Sequence, residues 1–249
     1  RLYGSRRNPI DEVEIVNQAD GISRGRLPDG TSAYADFPDT PTPGASNYLP
    51  LLDVVINEVL AHTDAPLEDA IEIRNISDTE INVGGWLLGD TPSGATRFEI
   101  PADTKIAPGG YAVFYEGSFN AGGTGFSLNS AHGDTVYLTA TDADGNPTGY
   151  RVVQPVPPTA NGVSVGRVPT SQGWKFVALT RRTFGSDLPV TVQQFRTGEG
   201  AGNSSALVGP VVISEIQYEG APVVAGLGQV QLEYIELRNI SNRTVPLYH

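Results

Sequence analysis

Three stretches of this chain each occur twice, and this repetition constrains the fold more than any other feature. The matching pairs are Val54–Val59 with Val211–Ile216, Ile71–Ser77 with Ile235–Ser241, and Ala19–Pro28 with Ala160–Pro169. Self-similarity at long spacing is typical of a chain built from several similar folded units. The first two pairs mark the start of a unit and the third marks its end. The sequence therefore predicts the end of one unit, one whole unit and the start of another.

The order of these matches sets the predicted boundaries. Residues 1–48 are predicted to be the C-terminal part of a first unit, and residues 50–189 a complete β-sandwich. Residues 210–249 are then the N-terminal part of a third unit. Residues 190–209 contain many Gly and Ser, a composition typical of a flexible linker. Because both outer units are incomplete, we expect the chain to be a piece of a longer protein.

Short alternating segments, with no long helical pattern, predict an all-β fold. In Ala70–Asn75, for example, Ile71 and Ile73 alternate with Glu72 and Arg74, as in a strand with one buried face. The 29 glycines and 19 prolines of the chain favour many tight turns between such strands. Turns are predicted at Asp142–Gly145 and at Gly166–Pro169. Eight or nine short strands in the complete unit predict an antiparallel β-sandwich.

Composition excludes several classes of function. The net charge is −12, and Lys105 and Lys175 are the only lysines, whereas nucleic-acid binding depends on clustered Lys and Arg. Cysteine is absent, so disulfide bonds, thiolate ligands for zinc and a thiol nucleophile are excluded. No apolar run is long enough to cross a bilayer as a helix. The composition favours a bacterial surface protein.

A series of short motifs resembles the lamin tail domain family. In chain order they are Ile56–Val59, Ile71–Asn75, Gly85–Leu88, Ile106–Tyr111, Gly133–Leu138, Asp144–Gly145 and Gly166–Pro169. Each motif is weak alone, but all seven occur in the family's order across the complete unit. The resemblance is to the bacterial branch of the family. It implies tandem immunoglobulin-like β-sandwiches in secreted or surface proteins, and it supplies no catalytic residues.

Recurring charged residues are the best candidates for a site. Glu58, Glu72 and Arg74 recur in the third unit, and Arg167 recurs in the first. Paired carboxylates can act as general acid and base or bind calcium. Charge-assisted pairs between these acids and arginines explain the recurrence equally well, and we favour this structural interpretation, because an array rarely needs identical active sites. No catalytic residue is predicted.

Two further groups carry a functional alternative. Asp142 and Asp144 resemble part of a calcium loop, but the position of its final Glu holds a Val, so a hairpin turn is the preferred interpretation. Trp86, Trp174 and Tyr111 are predicted in the core, the alternative being a carbohydrate-binding platform. No metal site and no cofactor are predicted, with calcium at Glu58, Glu72, Asp142 or Asp144 as the alternative.

The sequence predicts a non-catalytic structural or adhesive module of an extracellular or cell-surface protein. Its expected partners are other proteins or neighbouring copies, bound through edge strands. Neither nucleic acid nor a membrane span is expected. The competing hypothesis is an accessory module of a secreted hydrolase or nuclease whose catalytic domain lies elsewhere in the parent protein.

Overall fold

The computed structural model describes residues 1–5, 9–14, 17–92, 97–218 and 233–247. Its strands are β1 (Leu2–Tyr3), β2 (Pro9–Asp11), β3 (Ser23–Arg26), β4 (Tyr34–Phe37), β5 (Leu49–Pro50), β6 (Val54–Leu60), β7 (Ala70–Asn75), β8 (Ile81–Asn82), β9 (Leu87–Gly89), β10 (Phe98–Glu99), β11 (Lys105–Ile106), β12 (Tyr111–Tyr115), β13 (Asp134–Thr141), β14 (Pro147–Val156), β15 (Val165–Thr170), β16 (Gly173–Ala178), β17 (Val211–Gln217) and β18 (Tyr234–Asn239). The helices are short: α1 (Glu116–Phe119), α2 (Val192–Phe195) and a 3-10 turn at Ala121–Gly123.

The predicted all-β fold is confirmed. One five-stranded sheet has the order β10-β9-β13-β14-β5, and a second has the order β12-β7-β6-β15-β16. Within both sheets the pairing is antiparallel, except that β5 runs parallel to β14. Shorter two-stranded ladders join β8 to β11, β1 to β2, β3 to β4 and β17 to β18. The fold is thus an immunoglobulin-like sandwich with smaller ladders before and after it.

The core lies between the two five-stranded sheets. From the first sheet, Leu88 and Leu138 are fully buried, and from the second sheet Ile56, Ile71 and Ile73 meet them. Burial of such side chains stabilises the fold by roughly 1.5–3 kcal/mol each. The predicted alternation in β7 is confirmed: Ile71 and Ile73 face the core. We call the opposite face of the second sheet its outer face.

A β-bulge in β6 places the recurring acids on the outer face. Ile56 pairs with Ile73, and the register then shifts so that Glu58 pairs with Glu72. The extra residue at the bulge is Asn57. Two residues of one strand thus oppose a single residue of the other, which re-aims their side chains. Asn57, Glu58 and Glu72 consequently gather at one place.

The predicted turn at Gly166–Pro169 is wrong, because these residues belong to β15. Only Val165 and Gly166 of this strand pair with β6, so Pro169 lies beyond the part that needs a backbone donor on that side. Gly166 is needed for close packing: a Cβ there would lie 2.7 Å from the amide of Asn203. By contrast, the turn predicted at Asp142–Gly145 joins β13 to β14 as expected.

The hairpin β17–β18 repeats β6–β7 in detail. Val211 pairs with Asn239 as Val54 pairs with Asn75, and the same register shift follows two residues later. Asn239 also bonds to the turn after its strand as Asn75 does, with Nδ2 donating over 2.6 Å to a backbone oxygen four residues on. The sequence repeat is therefore a structural repeat at this hairpin. The total number of units stays a prediction.

Candidate functional site

The segment 179–206, which we call the strap, covers the outer face of the second sheet. It is anchored at both ends, because Leu179 and Ala206 form an isolated β-bridge. Between them α2 forms, with Thr191 as its N-cap: the Thr191 hydroxyl accepts a hydrogen bond from the Gln194 backbone. Such caps satisfy helix donors that otherwise have no partner. The prediction that residues 190–209 form a flexible linker is therefore wrong for the part within the strap.

Two phenylalanines fix the strap by apolar contact. Phe184 and Phe195 are buried and form a cluster with Leu60, Ala70 and Tyr115 of the outer face. The ring centroids of Phe195 and Tyr115 are 5.5 Å apart at a near-perpendicular angle, a favourable arrangement of aromatic quadrupoles. The Gly- and Ser-rich composition predicted a flexible segment. Two large side chains nevertheless decide how the whole segment packs.

Glu58 is fully buried beneath the strap and is held by hydroxyl groups. The Ser164 hydroxyl donates to its Oε1 over 2.5 Å, and the Thr183 hydroxyl donates to Oε2. The Thr183 backbone N–H also donates to both carboxyl oxygens over 3.2 Å. Burial raises the pKa of Glu58, and these hydrogen bonds oppose the rise. Glu58 therefore links β6 to the start of β15, through Ser164, and to the strap, through Thr183.

Glu72 lies beside Glu58 and is also fully buried. The Asn57 side chain donates to Glu72 Oε1 over 2.5 Å and to Asn203 Oδ1 over 2.7 Å. Burial raises the pKa of Glu72 to about 8, and the neighbouring charge of Glu58 contributes to the rise. At neutral pH the side chain is therefore mainly the uncharged acid.

Asn203 completes this polar network from the strap. Its Nδ2 donates to the backbone oxygen of Asn57 over 3.0 Å and to that of Arg167 over 2.8 Å. One side chain thus links the bulge of β6, the closing strand β15 and the strap. Buried polar groups contribute to stability only when they are paired in this way.

A second polar anchor holds the strap at its other side. The guanidinium of Arg196 forms an ion pair with Glu68, and Nη2 lies 2.9 Å from Oε2. The same carboxylate accepts from the Gly117 backbone over 2.8 Å. Next to it Asp69 accepts from the Thr63 hydroxyl over 2.8 Å, and burial raises the pKa of Asp69 to about 6.

A carboxyl group with a raised pKa is a recognised candidate for acid–base catalysis. Such a group must also reach a proton on a substrate. Glu58 and Glu72 are each 0% exposed, and their hydrogen-bonding partners come from β6, the closing strand and the strap. The hydrogen bonds of this cluster therefore connect three elements of the fold: β6, β15 and the strap.

The predicted charge pairs between these acids and arginines are wrong. The guanidinium of Arg74 lies 5.2 Å from the ring centroid of Tyr111, and that of Arg167 lies 4.8 Å from that of Trp174. Hydroxyl and amide groups take the place beside the acids. The physical reason is desolvation, since uncharged donors bind a buried carboxyl without a second ion having to leave water.

The other predicted site residues lie apart from this cluster. Asp142 Oδ1 accepts from the backbone of Asp144 and of Asn146, each over 2.9 Å, as in an Asx-type turn. The Asn146 backbone bond is the main reason why the pKa of Asp142 is lowered. Within the described ranges, no three His, Asp or Glu side chains are placed to share a metal ion.

The three large aromatic residues differ in exposure. Trp86 packs partly buried against the core, as predicted. Trp174 is 55% exposed, so its predicted core position is wrong. It lies on the edge strand β16, where no further strand of the sheet covers it, and the guanidinium of Arg167 lies over its ring. Tyr111 is partly buried under Arg74.

Sequence reasoning alone did not identify the residues that bind the acids. Ser164 lies within the repeated stretch Ala160–Pro169, just before the predicted turn at Gly166–Pro169. Thr183 keeps the same spacing from that stretch as a threonine near the N-terminus. Such a shared spacing between isolated hydroxyl residues was the available signal. In the first 48 residues, Ser23 and Thr42 stand at the positions that match Ser164 and Thr183 in the repeat, and Asn47 makes the backbone contact that Asn203 makes.

Fold and site together define an immunoglobulin-like β-sandwich whose buried acids have a structural role. Residues 50–152 match the family model described as the lamin tail domain. This part of the chain is therefore similar to the lamin tail domain family. The match ends within β14, so β15, β16 and the strap lie beyond it. A comparison with curated proteins found no match.

The helices of the described residues are too short to span a membrane. The longest cover four residues, whereas a spanning helix needs roughly 20.

Proposed function

We propose that this chain is a non-catalytic structural or adhesive module that mediates protein interaction or assembly. Lamin tail domains are interaction domains, which supports the proposal. The observation that carries it is the hairpin β17–β18. It repeats the register of β6–β7, so the same opening hairpin occurs twice in this chain. Within the sandwich itself, the edge strand β16 offers unpaired backbone groups to another protein by strand addition.

The burial of Glu58 and Glu72 is the second support for a non-catalytic role. The hairpin contains equivalent acids, Glu215 and Glu236, at the same register. Repetition of this pair beside a bulge is explained by a shared requirement of the fold. We further propose that the module is located outside the cell or on a bacterial surface, on the basis of its tandem repeat and acidic, cysteine-free composition.

Labelling of intact cells tests the surface role. An antibody raised against residues 50–209 should label unpermeabilised source cells that express the parent protein, and added protease should remove the label. A cytosolic protein of the same cells serves as the control and should be labelled only after permeabilisation. Labelling of the module only after permeabilisation would refute the proposed location.

Chelation tests the alternative that calcium stiffens the module. Because Asp142 already accepts from backbone N–H groups and the two glutamates are buried, we expect EDTA to leave the melting temperature of the purified chain unchanged. Differential scanning calorimetry with EDTA or with excess calcium measures this directly. A clear rise in melting temperature with calcium, reversed by EDTA, would establish a calcium site.

A further inference from the structure

Two residues of the strap that hold the buried acids also lie next to each other. The Thr183 hydroxyl donates to Glu58 Oε2, and the hydroxyl oxygen lies 3.4 Å from Asn203 Oδ1. All three residues belong to the complete sandwich and its strap. An alcohol beside a carboxamide is a nucleophile beside an electrophile. This contact therefore has a chemistry that hydrogen bonding alone does not use.

The nucleophile has a base. A threonine hydroxyl is a weak nucleophile until a neighbouring group takes its proton. Glu58 accepts from this hydroxyl and also from the Ser164 hydroxyl and the Thr183 backbone. These donors favour the ionised form of Glu58 and oppose the burial that raises its pKa. Burial and the charge of Glu58 raise the pKa of Glu72 to about 8, so Glu72 carries the proton of the pair and Glu58 is the carboxylate.

The carboxamide of Asn203 is polarised and held in place. Asn57 Nδ2 donates to Asn203 Oδ1 over 2.7 Å. A donor at this oxygen stabilises the negative charge that develops when a nucleophile adds to the carbon, as in an oxyanion hole. Asn203 Nδ2 donates to the backbone oxygens of Asn57 and Arg167 over 3.0 and 2.8 Å, which fixes the plane of the group. The reacting carbon is one bond from Oδ1 and hence close to the Thr183 hydroxyl.

Burial favours a reaction within the chain over one with an external substrate. Glu58 and Asn57 are 0% and 4% exposed. Water, which would compete for the carboxamide and would hydrolyse an ester, is thus kept from the base. Thr183 and Asn203 are only partly buried, so a small leaving group has a way out. The substrate that these acids can reach is a group of the chain itself.

The threonine–asparagine pair recurs in the N-terminal part of the chain. The Thr42 hydroxyl donates to Asn47 Oδ1 over 2.8 Å, and Asn47 Nδ2 donates to the Arg26 backbone as Asn203 does to that of Arg167. The two members of the pair are 5 residues apart there and 20 residues apart in the strap. The pair therefore persists although the segment between its members differs in length.

We propose that the chain forms an ester bond between the Thr183 hydroxyl and the Asn203 side chain without any other catalyst. Glu58 takes the hydroxyl proton as Thr183 Oγ1 attacks Cγ of Asn203. The Oγ1–Cγ bond forms, the Cγ–Nδ2 bond breaks, and Glu58 passes the proton to the leaving nitrogen, which departs as ammonia. One hydroxyl and one carboxamide thus give one ester and one ammonia, with no oxidant and no second reactant.

The ester closes a covalent loop in the strap over the outer face. A covalent link between distant residues restricts the unfolded chain and holds the linked elements together. Cysteine is absent from this chain, so a disulfide cannot do this. The inference goes beyond the proposed function, since the bond needs no partner protein and forms wherever the module is located.

Mass spectrometry of the purified full chain tests the proposal. After prolonged incubation of the folded chain, its mass should be lower than the sequence mass by one molecule of ammonia. Trypsin cleaves after Arg182 and Arg196 and so separates Thr183 from Asn203. Peptides 183–196 and 197–238 should nevertheless remain joined, and hydroxylamine, which cleaves esters, should release them. Fragmentation spectra should place the link at Thr183 and Asn203.

Variants test each role. Thr183→Val removes the nucleophile and Glu58→Gln removes the base, so both should keep the full sequence mass. Thr183→Ser keeps a hydroxyl and should retain the link. Thr63→Val is the matched control, because the Thr63 hydroxyl also donates to a buried acid, Asp69, at a separate place. This control should be linked to the same extent as the wild type. Thermal melts verify that each variant is folded, and the joined peptides of the wild type decide the proposal even where a variant is not.

The pair Thr42 and Asn47 serves as an internal comparison. Among the described residues, no carboxylate accepts from the Thr42 hydroxyl, so tryptic peptide 27–74 should have its full mass. Loss of ammonia there as well would overturn the role of Glu58, as would a Glu58→Gln variant linked as fully as the wild type. A wild type of full mass, or loss of ammonia from peptides that separate, would overturn the ester itself. These outcomes leave the cell-labelling result unaffected.

Discussion

At the scale of single residues, the main result is that two adjacent acids are buried with hydroxyl and amide groups as their direct partners. Glu58 is held by three donors from Ser164 and Thr183, whereas Glu72 accepts from Asn57. Oxygen Oε2 of Glu72 lacks a well-formed hydrogen bond among the described residues, and the nearby Ala201 backbone lowers the pKa of this carboxyl only in part. A proton on Glu72 removes the cost of two like charges at one place, and stability should therefore depend on pH.

Glu72→Gln tests this pH dependence. The folded-state pKa of about 8 lies above the usual value of 4.5, so the folded protein binds the proton more tightly. This contribution is complete below pH 4.5 and is lost as the pH rises through 8. From pH 4.5 to 9 the wild type should lose on the order of 4 kcal/mol relative to the variant.

Chemical denaturation across this pH range measures the difference. Glu80→Gln, an exposed glutamate, is the control and should run parallel to the wild type. The contribution of Asp69, which does not contact Glu72, is common to all three proteins and cancels. If the stability of Glu72→Gln runs parallel to that of the wild type, folding does not raise the pKa of Glu72. A protonated Glu72 beside Glu58 is then refuted.

Arg167→Ala distinguishes the observed contact from the predicted charge pair. The guanidinium lies over the exposed ring of Trp174, so we expect a loss of only about 0.5–1 kcal/mol in the free energy of unfolding. A salt bridge to a buried carboxylate would cost roughly 3–5 kcal/mol when broken. Urea titration gives the value, and Trp174→Ala should remove most of the effect in a double-mutant cycle.

At the scale of elements, the strap turns a two-sheet sandwich into a three-layered structure. Apolar contact through Phe184 and Phe195, the Asn203 network and the Arg196–Glu68 ion pair hold it at separate points. Helix α2 has only four residues and no stability of its own. Its position therefore depends on the tertiary contacts of Phe195.

Phe195→Ala should detach the strap. Phe195 is fully buried against Tyr115 and Phe184, and loss of such a ring costs about 3–5 kcal/mol in the free energy of unfolding. Amide hydrogen exchange should become faster across the strap before it does so in β6 and β7. Phe98→Ala, in a partly buried position on the other sheet, is the comparison variant. Equal acceleration across the whole sandwich would show that the strap is not a separate unit.

At the scale of the whole molecule, the structure bears on where the complete unit ends. The predicted end at residue 189 lies within the strap, before Phe195 and Asn203. A fragment of residues 50–209 should unfold cooperatively with a higher melting temperature than one of residues 50–189, because only the longer fragment keeps both anchors. Calorimetry of the two fragments checks this. Equal melting temperatures would mean that the complete unit ends at residue 189, as the sequence predicts.

The sequence by itself determined the repeat, the all-β class and which residues of β7 face the core. These features depend on local order: alternation in β7 decides which side chains face the core, and turn residues such as Asp142–Gly145 fix the hairpins. The seven short motifs in their fixed order were then enough to indicate the resemblance to the lamin tail domain family.

Only the tertiary structure decided the partners of Glu58 and Glu72. Ser164 and Thr183 are more than a hundred residues from Glu58 along the chain, and no local pattern links them. The same holds for Phe195, whose burial depends on a surface formed by other strands. Periodicity reports which face of a strand is apolar, but the cover of a polar face is set by long-range packing and desolvation. That is why the recurring acids predicted a charge pair and the fold instead buried them beneath a strap.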